Sequence, residues 1–80
     1  MKVRNLELTC WPCPSQWEAE TLQGEKVYIR YRWGLLSVGV GEGLCDAVEN
    51  QEEVYSSDNP WDGEMSEQEM LCLTGIEVER

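Results

Sequence analysis

Between residues 16 and 40 polar and apolar side chains alternate with a period of two, the pattern of strands that bury one face. The runs are Gln16-Trp17-Glu18-Ala19-Glu20-Thr21, Lys26-Val27-Tyr28-Ile29-Arg30-Tyr31-Arg32 and Leu35-Leu36-Ser37-Val38-Gly39-Val40. Gln23-Gly24 and Trp33-Gly34 separate them, each bringing a glycine where a tight turn needs a positive φ. Residues that face each other across two strands share a side of the sheet, so each turn implies a register that can be checked. A two-residue loop at Trp33-Gly34 sets Tyr31 against Leu36, Ile29 against Val38, Val27 against Val40 and Arg30 against Ser37, which sorts apolar with apolar. In the first hairpin a two-residue loop mixes the faces, with Ala19 against Tyr28 and Glu18 against Ile29. An odd loop centred on Gly24 restores them, pairing Trp17 with Tyr31, Ala19 with Ile29, Glu18 with Arg30 and Glu20 with Tyr28.

The meander so built has an apolar face of Trp17, Ala19, Val27, Ile29, Tyr31, Leu36, Val38 and Val40, which needs a cover. Its other face carries Gln16, Glu18, Glu20, Tyr28, Arg30, Arg32 and Ser37, with Gly39 opposite Tyr28 so that the ring has bare backbone to lie across. Residues 2–10 read as a further strand, Arg4, Leu6, Leu8 and Cys10 alternating with Val3, Asn5, Glu7 and Thr9, ending before Pro12 and Pro14. Ser66-Glu67-Gln68-Glu69 has the spacing of a helix capping box, and Gly75 supplies the stop after Met70, Leu71, Cys72 and Leu73. So short a helix draws its stability from packing, and the apolar face of the meander is the available dock. Ile76 and Val78 read as a final edge strand. Residues 45–54 fit a helix with Ala47, Val48, Gln51 and Val54 on one face, or equally an ordered loop running into a strand at Glu53-Val54-Tyr55. The fold class expected is α+β: an antiparallel β-meander of three to five strands packed against one or two short helices, one domain over residues 1–80.

Charge changes what this scaffold is suited to do. The 80 residues carry sixteen acids and six bases, a net charge of −10. Residues 1–40 sum to +1 and residues 41–80 to −11, Arg80 being the one base of the second half. Direct binding to nucleic-acid phosphates is therefore not expected. No apolar run approaches the roughly 20 residues of a membrane span, and the opening residues lack the apolar core of a secretory signal, so a soluble, unsecreted protein is expected. The absence of histidine removes the commonest general base and every Ser-His or Cys-His pair. No phosphate-binding glycine loop follows a strand, and an enzyme is not expected.

Three groups of residues are candidates for chemistry. Cys10-Trp11-Pro12-Cys13 has the spacing of a redox or metal-binding pair, but Pro14 and antiparallel hairpins follow it where a thioredoxin-type motif needs a helix start, and Cys45 and Cys72 stand singly. Reduced cysteines without metal or cofactor are the plainer reading. Asp58, Asp62, Gly63 and Glu69 fall at positions of a calcium loop, yet Pro60 occupies a ligand position, and so many carboxylates produce partial matches by chance. Tyr28, Arg30, Arg32 and Trp33 combine guanidinium groups with aromatic rings, a set able to hold a nucleotide phosphate and stack its base. Cross-strand pairing with Glu18 and Glu20 is the simpler use of the same arginines. The acidic half, especially Asp46, Glu49, Glu52, Glu53, Asp58, Asp62 and Glu64, suits a partner protein with a basic surface. Trp61 and Trp33 are the aromatic residues best placed to contact a partner or a second copy of the chain. Small size leaves room for homo-oligomerisation to supplement the core.

In length, acidity and general character, the chain resembles small phage-encoded anti-defence proteins, among them anti-CRISPR inhibitors and sponges for nucleotide signals. The stretch Tyr28-Ile29-Arg30-Tyr31-Arg32-Trp33-Gly34 resembles a segment of small bacterial and phage proteins. The resemblance implies an inhibitor of a nucleic-acid-handling defence protein, acting in the cytoplasm of a bacterial host. The alternatives are an oligomeric nucleotide-binding protein built on the arginine face, and a metal or redox protein built on the Cys10 motif.

Overall fold

The computed structural model describes residues 1–11 and 14–79. In chain order the elements are β1 (Lys2–Cys10), β2 (Ser15–Thr21), β3 (Lys26–Arg32), β4 (Leu35–Gly41), α1 (Leu44–Glu49), β5 (Glu52–Ser56), α2 (Glu67–Thr74) and β6 (Glu77–Val78). The strands form one sheet in the order β5-β4-β3-β2-β1-β6, antiparallel throughout except that β6 runs parallel to β1. The α+β meander with two short helices is thus what the alternation implies, with six strands in place of three to five.

The β3–β4 hairpin has the expected register at every pair, Tyr31 facing Leu36, Ile29 facing Val38 and Val27 facing Val40. Trp33 (φ 58°) and Gly34 (φ 72°) both adopt the left-handed region, as a two-residue turn that follows the sheet twist requires. The β2–β3 hairpin differs from expectation: Trp17 faces Ile29, Ala19 faces Val27 and Gln16 faces Arg30. The loop is Leu22-Gln23-Gly24, so Gly24 (φ 91°) closes it and does not sit at its centre. Thr21 makes the difference, because its carbonyl accepts from Gly24 N (3.0 Å) and its hydroxyl from Glu25 N (3.1 Å). A slip of two residues preserves the faces and changes every partner.

The alternation expected along β1 also fails. Val3 is fully buried and Leu6 packs at the core's margin, while Leu8 is exposed. Irregularities between Arg4 and Glu7 and between Leu8 and Cys10 shift the pairing, and Asn5 takes a positive φ of 56° at the first of them. An inserted residue there lets Val3 and Leu6 turn to the same side.

Both faces of the sheet are covered, each by a different element. Met65, Met70 and Ile76 close the apolar face over Trp17, Ile29, Tyr31 and Leu36. Helix α2 starts where the capping box implies, Ser66 Oγ accepting from Glu69 N at 3.1 Å, and ends at Gly75 (φ 74°). Helix α1 lies on the other face, seated on Gly39 and Gly41: a methyl on Gly39 would overlap the carbonyl oxygen of Ala47, and one on Gly41 would lie 2.7 Å from Ala47 N. Residues 45–54 therefore combine the two readings, a helix ending at Glu49 and a strand from Glu52. No helix among the described residues is long and apolar enough to cross a membrane.

Candidate interaction surface

The segment from Ser57 to Met65 is turn material in composition but is fastened at both ends. Gly34 N donates to Asp62 O (2.7 Å) and Ser57 N to Gly34 O (2.6 Å), which docks the segment on the β3–β4 turn. At the start of β2, Ser15 N donates to Gly63 O (2.8 Å), and Ser15 Oγ accepts from Met65 N (2.9 Å). Within it, the Asn59 side chain accepts from Trp61 N (3.0 Å), and Asp62 accepts from the buried Tyr31 hydroxyl at 2.8 Å. Burial pushes the Tyr31 phenol above its ordinary value, and the Asp62 carboxylate raises it further.

This anchoring holds two tryptophans at the surface. Trp61 is 79% exposed and Trp33 is 53% exposed, their rings edge to face at 6.0 Å, with the Arg32 guanidinium 5.1 Å from the centre of the Trp33 ring. Trp33 occupies a turn position where glycine or asparagine is favoured, and the left-handed backbone costs a residue with a Cβ about 1–2 kcal/mol. An exposed ring at a strained position contributes little to the core.

Asp46 and Glu49 stand on α1, Glu52 and Glu53 on β5, and Asp58 and Glu64 on the segment beyond; all six are exposed. Asp62, held by Tyr31, is half-buried and serves as an anchor of the segment. The ion pairs among the described residues both end on Glu20, from Lys26 (2.8 Å) and Arg4 (3.5 Å). The Lys26 ammonium, then Arg4, holds the Glu20 carboxyl below its ordinary value. No lysine or arginine lies between Arg32 and Arg80, so α1, β5 and α2 carry no cation of their own. Asp46 and Glu49 on α1, which lies over β4, and Glu52 and Glu53 on β5 beside it stand toward one edge of the sheet. Asp58 and Glu64 belong to the segment docked on the β3–β4 turn and the start of β2, and Glu77 and Glu79 lie at the opposite edge beside β1.

The arginine face is arranged otherwise than a nucleotide pocket needs. Tyr28 is 7% exposed, opposite Gly39 on the side that α1 covers, and its hydroxyl donates to Gln16 Oε1 at 2.7 Å. Gln16 is in turn bonded to Thr9 (3.2 Å). Arg30 faces Gln16 and Ser37, not Glu18, and Arg32 lies against Trp33. The four residues thus do not converge, Tyr28 being in the interior and Trp33 at the turn.

Of the C-x-x-C pair, Cys10 is half-buried at the end of β1 and Cys13 lies outside the described residues, as does Arg80. Cys45 and Cys72 are exposed thiols. Among the described residues no group of three or more Cys, Asp or Glu side chains is placed to hold a metal ion. The seat of α1 is the feature that sequence reasoning missed. Its signal is Gly39-Val40-Gly41, two glycines on one strand face, which marks the close approach of another backbone. No protein-family model, curated protein or solved structure matches this chain.

Proposed function

We propose that this chain is a non-catalytic interaction protein whose anionic edge docks on the basic surface of a nucleic-acid-handling protein. The observation that carries the reading is the set of exposed carboxylates on α1 and β5, none of them in an ion pair among the described residues, together with the exposed Trp61 on the segment that follows. Carboxylates crowded without cations repel one another in the free protein, and a basic groove relieves that repulsion on binding. Trp61 supplies the large, preorganised apolar contact that dominates many interfaces, and the carboxylates supply steering and selection of the partner. In the setting that the resemblance implies, the partner is a bacterial defence protein and the carboxylates occupy the place of nucleic-acid phosphates.

The test is competition. Partner captured on the immobilised chain should be released by duplex nucleic acid and by added salt, and the combined variant Glu49→Gln, Glu52→Gln, Glu53→Gln should capture far less of it. Capture that withstands both nucleic acid and the triple substitution would refute the proposal.

A further inference from the structure

A groove of about 660 Å³ opens beside the same edge, between β4, β5 and the chain that follows α2. Its floor is Val38, Val40, Val54 and Ile76, and Glu49 and Glu52 stand at its rim. The volume lies within the range of ligand-binding clefts. The cover that seals Leu36 completely leaves Val38 and Val40, further along the same face of β4, half-buried.

One wall of the groove is an open strand. β5 pairs with β4 on one side and ends the sheet on the other. A shift in register between Leu36 and Ser37 leaves Val54 as an extra residue on β5, 47% exposed and lining the groove. Edge strands are commonly guarded by charge and by bulges, and β5 has both. Its charges are all of one sign. A second copy pairing here would bring Glu52 and Glu53 against like charges, which opposes self-association, whereas the same charges attract a basic strand.

We propose that the groove and the free edge of β5 together receive an extended basic segment of the partner, its apolar side chains on the valine floor and its lysines or arginines against Glu49 and Glu52. The inference rests on the reading that the partner is basic, and adds the form in which the partner is held. Backbone pairing supplies affinity, and the alternating side chains supply selection, as in other cases of strand addition.

The experiment titrates the isotopically labelled full chain with short peptides and follows its amide resonances. A peptide alternating lysine with leucine should shift Val38, Val40 and residues 52–56 saturably. The same peptide with its backbone N-methylated at alternate positions should bind about tenfold or more weakly, because the ladder bonds are lost. Glu52→Lys should weaken binding by a similar factor, with the spectrum otherwise that of the folded chain, and Val54→Ser by about threefold. No saturable binding, shifts confined to residues outside the groove, or equal binding of the methylated peptide would each overturn the inference. Concentration-dependent shifts of β5 without peptide would assign the edge to a second copy and overturn it too. If these peptides fail while captured partner still depends on the carboxylates, the broader proposal stands and this one falls.

Discussion

Gly39→Ala tests how the acidic edge is positioned. Gly39 has an extended backbone in the middle of β4, so alanine meets no conformational penalty there; the obstacle is α1. The new methyl would overlap the Ala47 carbonyl oxygen and lie 2.9 Å from its carbon, and these are backbone atoms that a rotamer change cannot move. The helix must lift, uncovering Ala47 (0% exposed) and part of Tyr28, which lies opposite Gly39. A tyrosine buries about 150–250 Å², so exposing a third to a half of it with the alanine methyl returns roughly 100 Å² to water. At about 25 cal/mol per Å² that is ~2.5 kcal/mol. Restricting the unfolded chain offsets ~0.4–1 kcal/mol of this. A net loss of about 2 kcal/mol is expected in urea unfolding, or a fall in Tm of about 8–16 °C for a domain of this size. Gly43→Ala is the control, since no atom lies within 4 Å of its added methyl, and its effect should stay within ~0.5 kcal/mol. Equal effects of the two substitutions would refute the seating of α1 on the β4 glycines.

Tyr31→Phe removes the hydroxyl that bonds Asp62 at 2.8 Å and should cost about 1–2 kcal/mol in urea unfolding, the lower part of the range for a charged acceptor because Asp62 is half-exposed. Since the folded protein raises the Tyr31 pKa, its contribution is complete below the free phenol value of 10.0 and is lost as pH rises through the folded value; Tyr31→Phe should therefore flatten the alkaline fall in stability. Ser66→Ala deletes the acceptor of the Glu69 amide and should cost about 1 kcal/mol in the same assay. Glu20 has the opposite sign: its folded pKa is lowered, so its contribution is present above the free value of 4.5 and is lost as pH falls through the folded one. Glu20→Gln should shrink the acid limb of the stability profile, and added salt should narrow the difference from the parent chain.

How far the residues alone reveal this molecule depends on which interaction decides each feature. The β3–β4 hairpin is legible throughout because a two-residue turn and a two-sided pattern agree on a single register. In the β2–β3 hairpin the pattern repeats every two residues, so a slip of two is invisible to it; the bonds of Thr21 to Gly24 and Glu25 decide, and these are side-chain specific. The irregularities of β1 are tertiary in origin, with Asn5 as their one local sign. Helix α1 has six residues, too few for a periodicity to stand out, and its position follows from the absence of side chains on Gly39 and Gly41. The same helix explains why Tyr28, grouped by alternation with Arg30 and Arg32, belongs to the interior. Exposure of Trp33 and Trp61 was legible from their turn setting, but the bonds that anchor their segment join residues far apart in sequence. The groove beside β5 left no trace in the pattern, since Val38 and Val40 look like any other core positions until the cover over them ends.

The proposed docking requires an electric field more negative around α1 and β5 than around the basic residues of β1. Paired paramagnetic cosolutes, one cationic and one anionic but otherwise alike, report this potential amide by amide through the relaxation they induce. The cationic probe should relax exposed amides of residues 44–56 and 57–64 several times more strongly than the anionic one, while the ratio should fall toward unity around Lys2 and Arg4 on β1. A ratio uniform over the whole surface would contradict it.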